Sequence, residues 1–353
     1  MARQRVAAFP RRLPTNPYCE LLYDHLEKLG IDVADGRSGV RWLFRHRGAI
    51  GVLHFHWPER HFDRTRLASA LGFAVRLLVA RALGYRLVWT VHNAAPHEGA
   101  TRGDRLVRAV LRRCARLVVH CTAGRAALEG AGARATVIPH GSYVGRYPNA
   151  ITRETARARL DLPRDARVLL AFGQVRPYKG LEALSRAFAA LPDRDARLVI
   201  AGEPVGRVEP AADPRLRLVL RHVPDAEVQV LFNAADLVVL PYRAVLTSGA
   251  AMLALSFGRG IVAPRLGCLA ELDPSGAALL YDADAPDGLA AALARAMTVD
   301  AAAMGNNARR LVRGLSWDVI ARRHLAVYGF APALTVLHAD RATGRERRHT
   351  VWI

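Results

Sequence analysis

Short apolar runs alternate with stretches of helical period along this chain, and the alternation starts over once. GVLHFHW (51–57), RLVWTVHN (86–93), RLVVHC (116–121) and ATVIPHG (135–141) read as buried strands, with Arg-rich helices at 63–83 and 102–115. Parallel neighbours need a crossover, usually a helix, so strand–helix–strand order predicts a parallel sheet covered on both faces. Segment 141–154, GSYVGRYPNAITRE, holds Gly, Pro and Asn without a period and reads as a linker. RVLLAFG (167–173), ARLVIAG (196–202), RLRLVLRHV (215–223), DLVVLPY (236–242) and GIVAPRLG (260–267) then supply a second strand set. Its helices read as 181–191, 225–235, 248–258 and 287–297. The expected class is α/β with two Rossmann-like, doubly wound parallel sheets. The expected division is an N-terminal domain at 1–145, a second at 153–315, a closing helix at 316–330 and a charged tail at 331–353. A length of 353 residues suits two such domains.

Open parallel sheets bind ligands beyond the carboxyl ends of their strands, and two such edges facing each other would form a cleft. Chemistry is therefore sought where strands end. Only Lys28 and Lys179 are lysines among 51 basic side chains. Lys179 lies in QVRPYKG, directly after the strand ending at Gly173 and before a helix start. Arg176 grips two oxygens in a fork, Lys179 adds a mobile point charge, and the helix start adds free N–H groups. Thr247-Ser248-Gly249 occupies the matching place after LPY, at the next helix start. A surviving loop lysine and an ordinary Ser N-cap are the plain structural alternatives. Two such sites in one domain suit a nucleoside diphosphate.

The pairing of GQVRPYKG with LPYRAVLTSGAAMLALSFGRGIVAPRLGCLAEL, with AGEP between them and a closing SW…Y helix, resembles GT-B glycosyltransferases. The likeness is to the family 4-like, glycan- and exopolysaccharide-assembling branch. HFHWPE, TVHNAAPHE and VIPHG extend it through the first half, so that it reaches about residue 330. The resemblance implies transfer from a nucleotide sugar, GDP-mannose or a UDP-sugar, with no cofactor and no metal required. The acceptor it implies is a glycan or a polyprenyl-linked or other glycolipid, in surface polysaccharide assembly. Gly173, Arg176, Lys179, Thr247, Ser248 and Gly249 would hold the donor diphosphate. The family's Glu-x7-Glu pair falls on Val245 and Leu253, so ribose and sugar contacts pass partly to Glu271. The Arg that often follows the strand-end Gly is Gln174 here, and Arg176 stands in for it. His92 matches a family His beside the donor sugar, where it orients a hydroxyl or, in an inverting reaction, acts as base. Glu59 and Glu98 are the second-choice bases.

His54 and His56 alternate on one strand and face one side, and DADAPD (282–287) reads as an acidic loop rather than a metal site. Four cysteines lack metal or framework spacing. Residues 1–150 carry 24 Lys+Arg against 10 Asp+Glu, and the remainder 27 against 21. The basic first half reads as solvated helix faces or as a docking surface for an anionic membrane. Arg76, Arg81 and Arg86 interrupt the most apolar stretch, 70–91, so it is no ordinary membrane span. The expected location is cytoplasmic, with peripheral attachment to the inner face of the plasma membrane. The alternatives are a GT-B sugar-nucleotide epimerase or phosphorylase, an inactive GT-B scaffold, and a basic nucleic-acid- or membrane-binding protein. A nucleic-acid partner is not expected, because the chain has no recognition-helix motif and only 7% aromatic residues.

Overall fold

Strands that are apolar on both sides must be covered on both sides, and the chain does this twice. The computed structural model describes residues 4–93, 99–129, 135–207 and 209–330, together with the backbone of two later strands. The first unit comprises Met1–Pro139 and Trp317–Ile353, the second His140–Ser316.

The first sheet contains β1 (Arg5–Phe9), β2 (Asp32–Asp35), β3 (Val52–Phe55), β4 (Arg86–Thr90), β5 (Ala115–Val119) and β6 (Ala135–Val137). All pairs are parallel, in the order β2-β1-β3-β4-β5-β6. The crossovers carry α1 (Tyr18–Lys28), α2 (Val40–His46), α3 (Leu67–Ala82), α4 (Arg102–Cys114) and α5 (Thr122–Glu129). α3 starts later than its apolar period suggests, because Asp63 Oδ1 accepts from Thr65 N at 2.9 Å and holds a turn before it. α4 opens with a capping box: Thr101 Oγ1 accepts from Asp104 N, and Asp104 Oδ2 accepts from Thr101 N.

The second sheet contains β7 (Val168–Phe172), β8 (Arg197–Ala201), β9 (Leu216–Val219), β10 (Leu237–Val239), β11 (Gly260–Pro264) and β12 (Ala278–Tyr281). Its order is β12-β11-β10-β7-β8-β9, again all parallel. α6 (Arg153–Arg159), α7 (Leu181–Ala189), α8 (Asp225–Ala234), α9 (Gly249–Ser256), α10 (Gly288–Thr298) and α11 (Ala301–Arg313) belong to this unit. Strand order reverses between β7 and β10. That reversal is the switch point at which crossovers leave to opposite faces and the strand-end loops part.

Several boundaries differ from the sequence reading. Residues 140–145, expected with the first domain, belong to the second unit: Ser142 N donates to Leu315 O and Tyr143 N to Ser256 Oγ, each at 2.8 Å. α6 begins inside the expected linker, at Arg153. The closing helix α12 (Trp317–Tyr328) packs on α1 in the first unit, where Trp317, Ile320 and Leu325 join Tyr18, Leu22 and Leu26 in one core. The expected tail forms two antiparallel strands, Ala333–Ala339 and Glu346–Trp352. Among the described residues, no helix is long and apolar enough to cross a membrane.

Candidate active site

In the second unit, three loops leave adjacent strands at the switch point and are tied to one another. The loop after β7 turns at Gly173 and enters a 3-10 turn, Pro177–Lys179. Gly180 then takes φ +70°, and a Cβ there would lie 2.1 Å from Pro241 O. Only glycine lets the β7 loop approach the backbone after β10 this closely. Arg243 N donates to Tyr178 O at 3.2 Å across the same junction. Cys268 N donates to Leu246 O at 2.8 Å and joins the loop after β11 to the group.

The expected donor-binding residues converge here. Lys179 Nζ lies 2.8 Å from where a Gly173 Cβ would be, so the bare glycine makes room for the ammonium. Burial, reinforced by the neighbouring Arg176 cation, lowers Lys179 to about 8. Among the described residues no carboxylate pairs with Lys179. Gln174 Oε1 accepts from Arg176 Nε at 3.2 Å, so the residue at the family's Arg position steadies the arginine that replaces it. Two adjacent cations, one of them unpaired and partly dehydrated, leave positive charge for an anion to complete.

Across the switch point, Ser248 caps α9 by accepting from Ala251 N at 3.1 Å. Its Oγ also meets Tyr242 Oη at 3.1 Å, and burial pushes that phenol up, so it stays protonated. The cap reading of Ser248 therefore holds alongside any ligand role. Thr247 Oγ1 lies 3.5 Å from Cys268 Sγ. Gly249 faces Tyr143, whose Oη would be 3.4 Å from a Cβ at that position. Glu271 is exposed on the 3-10 helix Gly267–Ser275 that follows β11. Tyr143, Tyr178 and Tyr242 lie in segments read from the sequence but are not among the expected site residues.

The first unit gathers its histidines into one buried chain. His120 Nδ1 lies 2.9 Å from Ile138 O, and a carbonyl only accepts, so Nδ1 carries the proton. Neutral His120 then accepts at Nε2 from His92 Nδ1, at 3.3 Å. His92 Nε2 meets His56 Nδ1 at 3.1 Å, and His56 Nε2 meets Tyr23 Oη at 2.8 Å. Tyr23 Oη and Tyr328 Oη both contact His54 Nδ1, while His54 Nε2 meets Thr90 Oγ1 at 2.8 Å. Burial lowers His54 and His56 well below the ordinary imidazole value and His120 to about 4.

His92 thus sits inside this chain with both ring nitrogens engaged and one face stacked on Trp57 at 4.4 Å. Both roles expected of His92, orienting a sugar hydroxyl or accepting a proton, would need one of these ring nitrogens to exchange its histidine partner for the substrate. His54 and His56 do face one side, as their alternation requires. His120 carries the same signal as His92, a histidine just past a strand, and is missing from the sequence reading. Glu59 lies in the short turn Pro58–Arg60 beyond β3. Its Oε2 is buried without a hydrogen bond, 3.6 Å from Arg108. Glu98 and its neighbour His97 lie outside the described residues. Among the described residues, no group of three or more His, Cys, Asp or Glu side chains is arranged to hold a metal ion.

Two parallel six-stranded α/β units in tandem, with two adjacent cations and a capped helix start at the switch point of the second, are the architecture shared by GT-B glycosyltransferases. A family model described as glycosyl transferases group 1 matches residues 166–298, which contain all of these loops. The chain is 34% identical over 265 residues to the GDP-mannose:glycolipid 4-beta-D-mannosyltransferase of Xanthomonas campestris pv. campestris, covering 71% of this chain and 70% of that protein. It is 32% identical over 323 residues to the D-inositol 3-phosphate glycosyltransferase of Kineococcus radiotolerans, covering 79% and 74%. Sucrose-phosphate synthase of Thermosynechococcus elongatus shares the fold with a TM-score of 0.72 at 18% identity, over 93% of this chain and 98% of that one. This chain belongs to the group 1 glycosyl transferase family.

Proposed function

We propose that the enzyme transfers mannose from GDP-mannose to a glycolipid acceptor in the assembly of a surface polysaccharide or glycoconjugate. The observation that carries the donor half is the unpaired Lys179 beside Arg176 at the switch point, facing a loop that ends in the Ser248 cap. Charge that develops on a departing diphosphate is stabilised there by groups already in position. The mannosyltransferase of X. campestris, by its name, supports guanosine as the base and a lipid-linked acceptor. The two cations take the role a divalent metal has in other transferases, so catalysis is metal-independent on this reading. In the first unit we assign the proton-accepting role to Glu59, whose Oε2 is buried without a hydrogen bond.

The test follows radiolabel from GDP-mannose, and separately from UDP-glucose, into a polyprenyl-diphosphate-linked glycan. Label is expected to enter the lipid fraction from GDP-mannose, unchanged by EDTA. Glu59→Gln is expected to lower turnover by ~10²–10⁴-fold while leaving GDP binding intact. Transfer from the UDP-sugar alone would overturn the donor assignment. Loss of transfer in EDTA would overturn metal independence.

A further inference from the structure

The first unit leaves an apolar helix face uncovered. On α3, Leu67, Leu71, Val75 and Leu78 are 47%, 48%, 54% and 49% exposed. Their spacing of i, i+4, i+8 and i+11 sets them in one stripe, while Phe73 and Leu77 supply the inward face. The adjoining α2 adds Val40 and Phe44, which are 44% and 59% exposed. Single exposed leucines are ordinary; four in a row on one helix, with two more on its neighbour, mark a surface that meets something apolar.

One turn beyond Leu78 the surface becomes cationic. A cavity of about 550 Å³ at the amino ends of β4 and β5 is lined by Arg81, Arg86, Arg112, Arg113 and Arg116. It lies at the opposite end of the sheet from His92 and Glu59. None of these five arginines pairs with a carboxylate among the described residues. Arg112 Nε is buried with no hydrogen-bond partner. Arg86 and Arg116 each spend one nitrogen on a main-chain oxygen of α12, at Tyr328 and Val327. Several other arginines of the unit are compensated, among them Arg5 by Asp32, Arg64 by Asp104 and Arg108 by Glu59. The pocket thus gathers five arginines without a carboxylate partner among the described residues, beside one apolar stripe.

We propose that this face docks the enzyme on an anionic phospholipid surface. The α3 stripe enters the boundary between headgroups and acyl chains, and the arginine pocket takes lipid phosphates. Guanidinium forks match phosphate oxygens, and an apolar helix flanked by arginines is the combination that lies in such an interface. Charge also decides against a second copy of the chain, since a two-fold contact would set this uncompensated pocket close to itself. A nucleic acid would leave the leucines without a partner.

The full chain would be sedimented with vesicles of 30% phosphatidylglycerol in phosphatidylcholine, and with phosphatidylcholine alone. Nucleotide is left out, so the outcome does not depend on the donor assignment. Binding is expected to be at least about tenfold stronger to the anionic vesicles and to weaken in 0.5 M NaCl. Leu71→Glu with Val75→Glu, and separately Arg81→Glu with Arg113→Glu, alter exposed positions and should each weaken binding about tenfold or more. Unchanged melting temperature would certify the fold of each variant. Equal binding to both vesicle types, or variants that bind like the wild type, would overturn the proposal. So would a self-association, read by size-exclusion chromatography, that the Leu71/Val75 variant abolishes while vesicles are ignored. Inorganic phosphate at 10 mM that stabilises the protein through Arg81 and Arg113 while anionic vesicles are ignored would reassign the pocket to a soluble anion.

Discussion

Lys179→Ala and Arg176→Ala should each cost ~2–4 kcal/mol of transition-state stabilisation, or about 30- to 1,000-fold in kcat/KM for the nucleotide sugar. The physical ground is the electrostatics of the loop itself. Burial and Arg176 hold Lys179 at about 8, so the fold disfavours the ammonium that an arriving diphosphate favours. Two consequences separate this from a merely structural lysine. Diphosphate binding near pH 8 should take up a proton, seen by calorimetry in buffers of different ionisation enthalpy. Affinity should also fall as pH rises through 8, because the free enzyme then loses the charge the ligand needs. Unchanged kcat/KM in both variants would remove the diphosphate from this loop.

Mild acid should unfold the first unit early. Burial holds His54 and His56 well below the ordinary imidazole value, and His120 and His324 at about 4. Their folded values lie below the unfolded value of about 6.5, so between pH 6.5 and 4 the unfolded chain binds more protons. Stability is complete above pH 6.5 and is lost as pH falls towards 4. His120 and His324 are each worth on the order of 3 kcal/mol across that window. Near pH 5 the combined slope should reach several kcal/mol per pH unit. The readout is favourable because all five tryptophans, Trp42, Trp57, Trp89, Trp317 and Trp352, lie in the first unit. Guanidinium titrations followed by tryptophan emission at pH 7, 6 and 5 should show a falling midpoint. Equal midpoints at pH 7 and 5 would mean that the imidazole chain is already protonated in the fold.

Much of the second unit is legible from sequence, because its information is local. Each apolar run is a strand, and the residues that matter sit a few positions past a strand's end. Lys179 and Ser248 could therefore be assigned to strand-end loops of one domain before any pairing was known. What periodicity does not carry is strand order, and it is the adjacency of β7 and β10 that brings those loops together. The first unit is less legible for the same reason. Tyr23, His54, His56, His92, His120 and Tyr328 form one hydrogen-bonded chain, yet they are spread over some 300 positions and supplied by five elements. A histidine at a strand end looks the same in sequence whether it faces a substrate or another histidine, and His92 proves to face two. Short elements such as β2 and α6 escape because four to seven residues do not establish a period. The closing helix reads correctly as amphipathic, but nothing in its own residues says that its apolar face covers α1.

The most direct measurement is thermal unfolding of wild type and Lys179→Ala with GDP, UDP, ADP and dTDP. Calorimetry suits it, since the tryptophans report only the other unit. A diphosphate at 100 times its Kd should add ~2.7 kcal/mol to the folded state. The expected result is that GDP stabilises the wild type by about this amount and that Lys179→Ala loses the effect. No shift with any of the four nucleotides, or an equal shift in the variant, would contradict the assignment of the switch-point loops to the donor diphosphate.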